Sequence, residues 1–170
     1  MIDAVRLGSL APTLGVRQAG ASVYLDAPAL NFSAATNQYI EFTWAVPVDA
    51  VTAQGAYLRF LWSPGPSWTA GNYSLKVSYV LKQAGNAMGS GTVVGDNVLV
   101  TPSSASALVE SVMPTNIAII PGGWLIVRFY RDTAVDTGND VLQLYSIGVD
   151  YARWLDGRPP DVPLELARGY

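Results

Sequence analysis

Histidine and cysteine are both missing from this sequence of 170 residues. Without cysteine there can be no disulfide, no thiolate nucleophile and no Cys-based zinc site. Without histidine the chain lacks the usual general base of Ser-His-Asp chemistry and the commonest metal ligand. It also lacks the one side chain that ordinarily titrates near neutrality. Charge is scarce as well, at 14% of residues, where ordinary domains carry about a quarter. Lys76 and Lys82 are the only lysines, the arginines are scattered, and the formal net charge is −3. A protein that tracks nucleic-acid phosphates clusters Lys and Arg instead, so a nucleic-acid partner is excluded. No stretch is long and apolar enough to span a membrane, and "MIDAVRLGSLAPTLGVRQAG" lacks the apolar core of a signal peptide. The expectation is a protein made and kept in a cytoplasm until something releases it, with no membrane partner. So few charges on so apolar a chain also imply that neighbouring subunits cover much of its surface.

Turn formers and β-formers are abundant. The chain holds 16 glycines and 11 prolines, and turn signals recur about every ten residues between short runs of Val, Ile, Tyr, Trp and Phe, the spacing of an all-β sandwich or barrel. Strands are expected at Ser22–Leu25, Gln38–Val46, Ala56–Ser63, Tyr73–Lys82, Asn97–Thr101, Ala107–Met113, Trp124–Arg131 and Val141–Tyr151. In "YSLKVSYVLK" the residues Tyr73, Leu75, Val77, Tyr79 and Leu81 share one face, while Ser74, Lys76, Ser78 and Lys82 share the other. In "WLIVRFYR" the residues Leu125, Val127 and Phe129 oppose Trp124, Ile126, Arg128 and Tyr130. "SSASALVESV" fits a strand leaving a Ser-rich turn, or one or two helical turns capped by Ser103 or Ser104. About eight strands suit a two-sheet antiparallel β-sandwich with jelly-roll connectivity. Residues 21–154 form that domain in this reading, flanked by an N-terminal arm over residues 1–20 and a Pro-rich C-terminal arm over residues 155–170. The C-terminal arm carries Val162, Leu164, Leu166 and Tyr170, an apolar load suited to a neighbouring subunit or to its own sandwich.

Two stretches, "YLRFLWSPGPSWTAGNYSLKVSYVLKQAGNAMGSG" and "IIPGGWLIVRFYRDTAVDTGNDVLQLYSIGVDYARW", together resemble small jelly-roll virion proteins of tailed bacteriophages. The matching parts are Leu58–Trp62, Val77–Tyr79, Gly123–Asp132 and Ile147–Tyr151, and the likeness spans roughly residues 38–154. It implies a structural virion protein: a capsid cement or decoration protein, a homotrimer, with the major capsid protein or other virion proteins as partners. Its location would be the virion, assembled in the cytoplasm of a bacterial host. The alternative in the same family is a tail or fibre module that binds a host-surface glycan.

Few residues offer chemistry. Trp62 shares a face with Leu58 and Phe60 and belongs to the core. Trp68 lies in the loop "WSPGPSWTAGNY", where it either folds back over the sandwich end, meets another subunit or stacks on a sugar. Arg128, Tyr130 and Arg131 are expected at an interface, through the bidentate fork of arginine, and Trp154 is placed there with the C-terminal Val162, Leu164, Leu166 and Tyr170. For Arg131 a pairing with Asp132 or with an adjacent strand is equally open. Asp132, Asp136 and Asp140 are evenly spaced beside Asn139, but calcium needs about six to eight oxygen ligands, and these residues are also ordinary turn formers. Glu41 in "YIEFTW" would need a second carboxylate within ~5–10 Å to hydrolyse a glycoside, and nothing in the sequence places one there. The reading is therefore not an enzyme, with no cofactor and no metal.

Overall fold

The computed structural model describes the backbone of residues 2–7, 13–18, 26–87 and 94–153, with side chains from residue 29 onward. Ten strands appear among the described residues: β1 (Ile2–Leu7), β2 (Thr13–Gln18), β3 (Asp26–Phe32), β4 (Tyr39–Ala45), β5 (Ala56–Pro64), β6 (Tyr73–Lys82), β7 (Val94–Val100), β8 (Val109–Val112), β9 (Trp124–Arg131) and β10 (Leu142–Tyr151). They form two five-stranded sheets, in the orders β1-β4-β9-β6-β7 and β2-β3-β10-β5-β8. Every pairing is antiparallel, and the chain passes repeatedly from one sheet to the other. The protein is a jelly-roll-like β-sandwich, as the turn spacing predicts. The segment after the Ser-rich turn is strand β8, not helix.

Alternation explains the two-layer packing. On β4 the residues Ile40, Phe42 and Trp44 are buried, and on β9 so are Leu125, Val127 and Phe129, with less buried neighbours between. The inner faces of the two sheets meet in aromatic contacts. Phe129 of β9 stacks on Phe60 of β5 at 4.5 Å and takes Phe32 of β3 edge-on at 5.3 Å. Trp62 is fully buried, donates its indole N–H to Ser111 at 2.9 Å, and lies 5.1 Å from the Tyr73 ring. Offset and edge-to-face contacts of this kind add stability beyond their buried area.

The N-terminal stretch corrects one expectation. Within the stretch expected as an arm, Ile2–Leu7 and Thr13–Gln18 are strands: β1 pairs with β4 in one sheet, and β2 pairs with β3 in the other. Main-chain pairing satisfies the backbone groups that face the neighbouring strand, and it needs no side-chain period to do so. β3 is a further strand that the alternation did not reveal, so seven expected strands and three unexpected ones make up the ten of the described residues. The strand expected at Ser22–Leu25 and the C-terminal arm over residues 155–170 lie outside the described residues, as do Trp154, Val162, Leu164, Leu166 and Tyr170.

Candidate functional site

At one end of the sandwich the loop after β9 is organised from within by Arg131. Its side chain is 0% exposed, so Arg131 is not the interface residue expected from its charge. The guanidinium forms a two-pronged pair with Asp136, Nε to Oδ2 and Nη2 to Oδ1, both at 2.8 Å. It also donates to the Asp140 carbonyl at 2.5 Å and the Gly138 carbonyl at 2.6 Å, and lies 4.5 Å over the Tyr73 ring. Burial pushes the Tyr73 phenol well above its usual range, so it stays neutral and donates to the carbonyls of Asp140 and Val141. The alternation of β9 carried the signal, since Arg131 continues the inward row of Leu125, Val127 and Phe129. The pairing is with Asp136, not with Asp132.

The three aspartates of this loop are occupied by the protein itself. Asp136 also accepts the backbone N–H groups of Ser74 and Gly138. Asp140 accepts those of Ser67 and Val141, each at 2.7 Å. Asp132 accepts from Lys76 and from the Ala134 N–H, each at 3.2 Å. Among the described residues no cluster of three or more acidic, His or Cys groups is arranged to hold a metal. Adding a chelator should therefore leave the melting temperature unchanged in a thermal scan, whereas a calcium-built loop would melt earlier.

The opening between β5 and β6 closes onto the same loop. Thr69 accepts from and donates to Asn139, while the Asn72 N–H donates to the Thr137 hydroxyl. Gly71 has φ +100°, and a Cβ there would stand 2.0 Å from the Thr137 carbonyl oxygen, so only glycine allows this approach. Trp68 is held in this zipper, partly buried against the core cluster. Its indole N–H is buried with no partner among the described residues. The loop is thus a closed end of the sandwich, with Trp68 folded back over it.

The open surface lies elsewhere, on the outer face of the β1-β4-β9-β6-β7 sheet. Tyr39 of β4 stands directly across from Tyr130 of β9, Glu41 across from Arg128, and Arg128 across from Ser78 of β6. Such directly opposed side chains are close neighbours on the sheet face. Arg128 leans toward β4, donating Nε and Nη2 to Glu41 Oε1 at 2.9 and 2.6 Å, with its guanidinium 4.4 Å over the Tyr39 ring. Lys76 lies 5.7 Å from the centre of the Tyr130 ring and pairs with Asp132. The hydrogen bond to Asp132 raises the Lys76 pKa above the ordinary lysine value and keeps it charged. Asn37, Tyr39, Ser78, Arg128 and Tyr130 together line a groove of about 200 Å³.

Of the residues singled out from sequence, the groove brings together Arg128 and Tyr130. It adds Tyr39 and Ser78, which alternation alone put on outward faces without linking them, and Asn37, which precedes β4 and carried no sequence signal. Glu41 faces Arg128 here and is engaged as its ion-pair partner, rather than standing as a free acid.

No protein-family model matches the chain, and no curated protein matches it. Among solved structures, a carbohydrate-binding module specific for non-crystalline cellulose is similar at 13% identity, with 87% of this chain and 88% of that chain covered and a TM-score of 0.48. A carbohydrate-binding module in complex with β-1,4-galactotriose is similar at 15% identity, with 88% of each chain covered and a TM-score of 0.40. The enzymatically active domain of a tailspike protein of bacteriophage CBA120 is similar at 11% identity and a TM-score of 0.46, with 88% of this chain but only 19% of that chain covered. At these identities the likeness concerns the β-sandwich fold alone.

Proposed function

We propose that this chain is a binding module that takes a saccharide on the outer face of the β1-β4-β9-β6-β7 sheet. The observation that carries the reading is the groove between Tyr39 and Tyr130, with the Ser78 hydroxyl, the Asn37 amide and the Arg128 guanidinium along it. A sugar ring has an apolar C–H face and a rim of hydroxyls. Two adjacent phenol rings suit the first, and small uncharged or charge-matched donors and acceptors suit the second. The two cations beside the groove already have carboxylates, Glu41 for Arg128 and Asp132 for Lys76, which favours a neutral ligand there. The volume is below the ~300–1,000 Å³ of drug-sized pockets, which suits one ring at a time.

The sequence resemblance to virion proteins supports a tail or fibre as the setting, with the glycan on a host surface. Capsid cementing draws less support, since Arg131 is engaged inside its own loop and Trp68 is folded over its own sandwich end. Copy number in purified virions separates the two settings: a few to a few tens per particle for a tail or fibre, hundreds for a capsid lattice.

Binding is tested by electrophoresis through gels containing β-1,4-galactan or soluble β-glucans, followed by titration calorimetry. Wild-type protein should be retarded by at least one polymer. Tyr130→Ala should lose on the order of 2 kcal/mol of binding, about thirtyfold in Kd, the usual cost of truncating an aromatic anchor. Unretarded migration of the wild type in every polymer would overturn the proposal.

A further inference from the structure

Register on this sheet places small residues in line beside the groove. Ser78 of β6 is flanked by Arg128 on one side and by Gly95 of β7 on the other. Arg128 leans away from this line toward Glu41 and Tyr39, leaving Ser78 and Gly95 as its floor. The neighbouring row on one side is Tyr130, Lys76 and Asn97, and on the other it includes Ile126 and Val80. Among the described residues a Cβ built on Gly95 would meet only the Val77 carbonyl oxygen within 4 Å, at 3.8 Å. Among the described residues a trough thus runs across the strands from Arg128 over Ser78 to Gly95, with Tyr130, Lys76 and Asn97 along its polar wall and Ile126 and Val80 along the apolar wall on β9 and β6.

Glycine inside a strand is costly and often marks a place where a ligand comes close to the backbone. Gly95 does not sit in the left-handed region, since it is absent from the positive-φ glycines of the described residues. Neither its conformation nor a neighbouring atom requires glycine at this position.

We infer that the ligand is a linear saccharide chain that crosses the sheet, from the Tyr39–Tyr130 groove over Ser78 and Gly95 to the open edge of β7. The inference rests on the saccharide reading of the groove and names the shape of its ligand. With neighbouring strands ~4.8 Å apart, the path from β4 to β7 spans about 14 Å. That is too long for one ring and suits a run of several. The missing side chain at Gly95 is what lets the chain continue past Ser78 against the sheet, and the Lys76–Asn97 wall offers donors to its hydroxyls.

The test compares galacto- and cello-oligosaccharides from the disaccharide to the hexasaccharide, titrated into wild type, Gly95→Ala and Gly95→Phe. Affinity for the wild type should rise with chain length before levelling. Gly95→Ala is the fold control and should melt no earlier than wild type. Gly95→Phe should lower affinity for the longer oligosaccharides about tenfold, the scale of one lost ring contact, while leaving the disaccharide within about twofold. A wild-type affinity that ignores length, or a Gly95→Phe protein that binds the hexasaccharide as wild type does, overturns the trough while leaving the Tyr39–Tyr130 groove in place. Tyr130→Ala, by contrast, should weaken binding at every length. Failure of the wild type to bind any of these oligosaccharides overturns both.

Discussion

Arg131→Met should lower the stability of this protein by about 3–5 kcal/mol, the range seen when one partner of a buried ion pair is removed. The arginine side chain is fully buried and that of Asp136 is 1% exposed. Methionine fills a similar volume but strands the carboxylate in a low-dielectric site. It also removes the guanidinium donor from the carbonyls of Gly138 and Asp140, the latter keeping only the Tyr73 hydroxyl. For a domain of this size, 1 kcal/mol moves the melting temperature by roughly 2–4 °C, so the loss corresponds to roughly 6–20 °C. Urea unfolding gives the measurement directly: the midpoint should fall while the slope stays constant. The double variant Arg131→Met with Asp136→Leu should recover part of the loss, because no bare charge remains buried. Recovery is incomplete because Asp136 also accepts the N–H groups of Ser74 and Gly138. A single-variant loss below about 1 kcal/mol would mean that the pair is solvated and the loop is held by other contacts.

Phe129→Ala carries the second large effect, about 3–5 kcal/mol. This ring belongs to β9 but touches Phe60 of β5 and Phe32 of β3, so it joins the middle of one sheet to two strands of the other. It is fully buried, and a cavity there has walls from both sheets that cannot close without moving strands. Phe129→Leu keeps much of the volume and should cost less. It still loses two ring pairs, each worth about 0.5–1.5 kcal/mol beyond area. Equal losses for the two substitutions would show that ring geometry, not volume, dominates the site.

How far these features were legible from sequence differs by element. The bounds expected for β6 and β9 match the observed Tyr73–Lys82 and Trp124–Arg131, because strict alternation over several residues leaves a strand only one way to bury its apolar side. β1 and β2 have no such pattern and are held by main-chain pairing with β4 and β3, which leaves no mark on side-chain order. Arg131 shows a conflict between two cues: alternation points it inward and charge points it outward. The outcome rests on Asp136, which the following turn folds back onto the guanidinium, and composition cannot reveal that return.

The groove shows the same division. Tyr39 stands on the outward side of β4, and Arg128 and Tyr130 on that of β9, by alternation, yet the two strands are far apart in the chain. Only the β4–β9 register sets Tyr39 opposite Tyr130, and only the β6–β7 register sets Gly95 beside Ser78. A one-residue slip in either pairing would turn the slipped strand's set to the other face.

By itself the sequence determined an antiparallel sandwich, the inward rows of its strongest strands, and the absence of histidine and thiol chemistry, since these follow from local period and from which atoms are present. Tertiary structure alone decided that the N-terminal stretch joins both sheets, that Arg131 is a buried organiser, and that an open groove lies on one sheet. The first and third depend on pairing between distant segments, and the second on a turn that brings Asp136 back onto the guanidinium at the buried end of β9, contacts that local sequence does not encode.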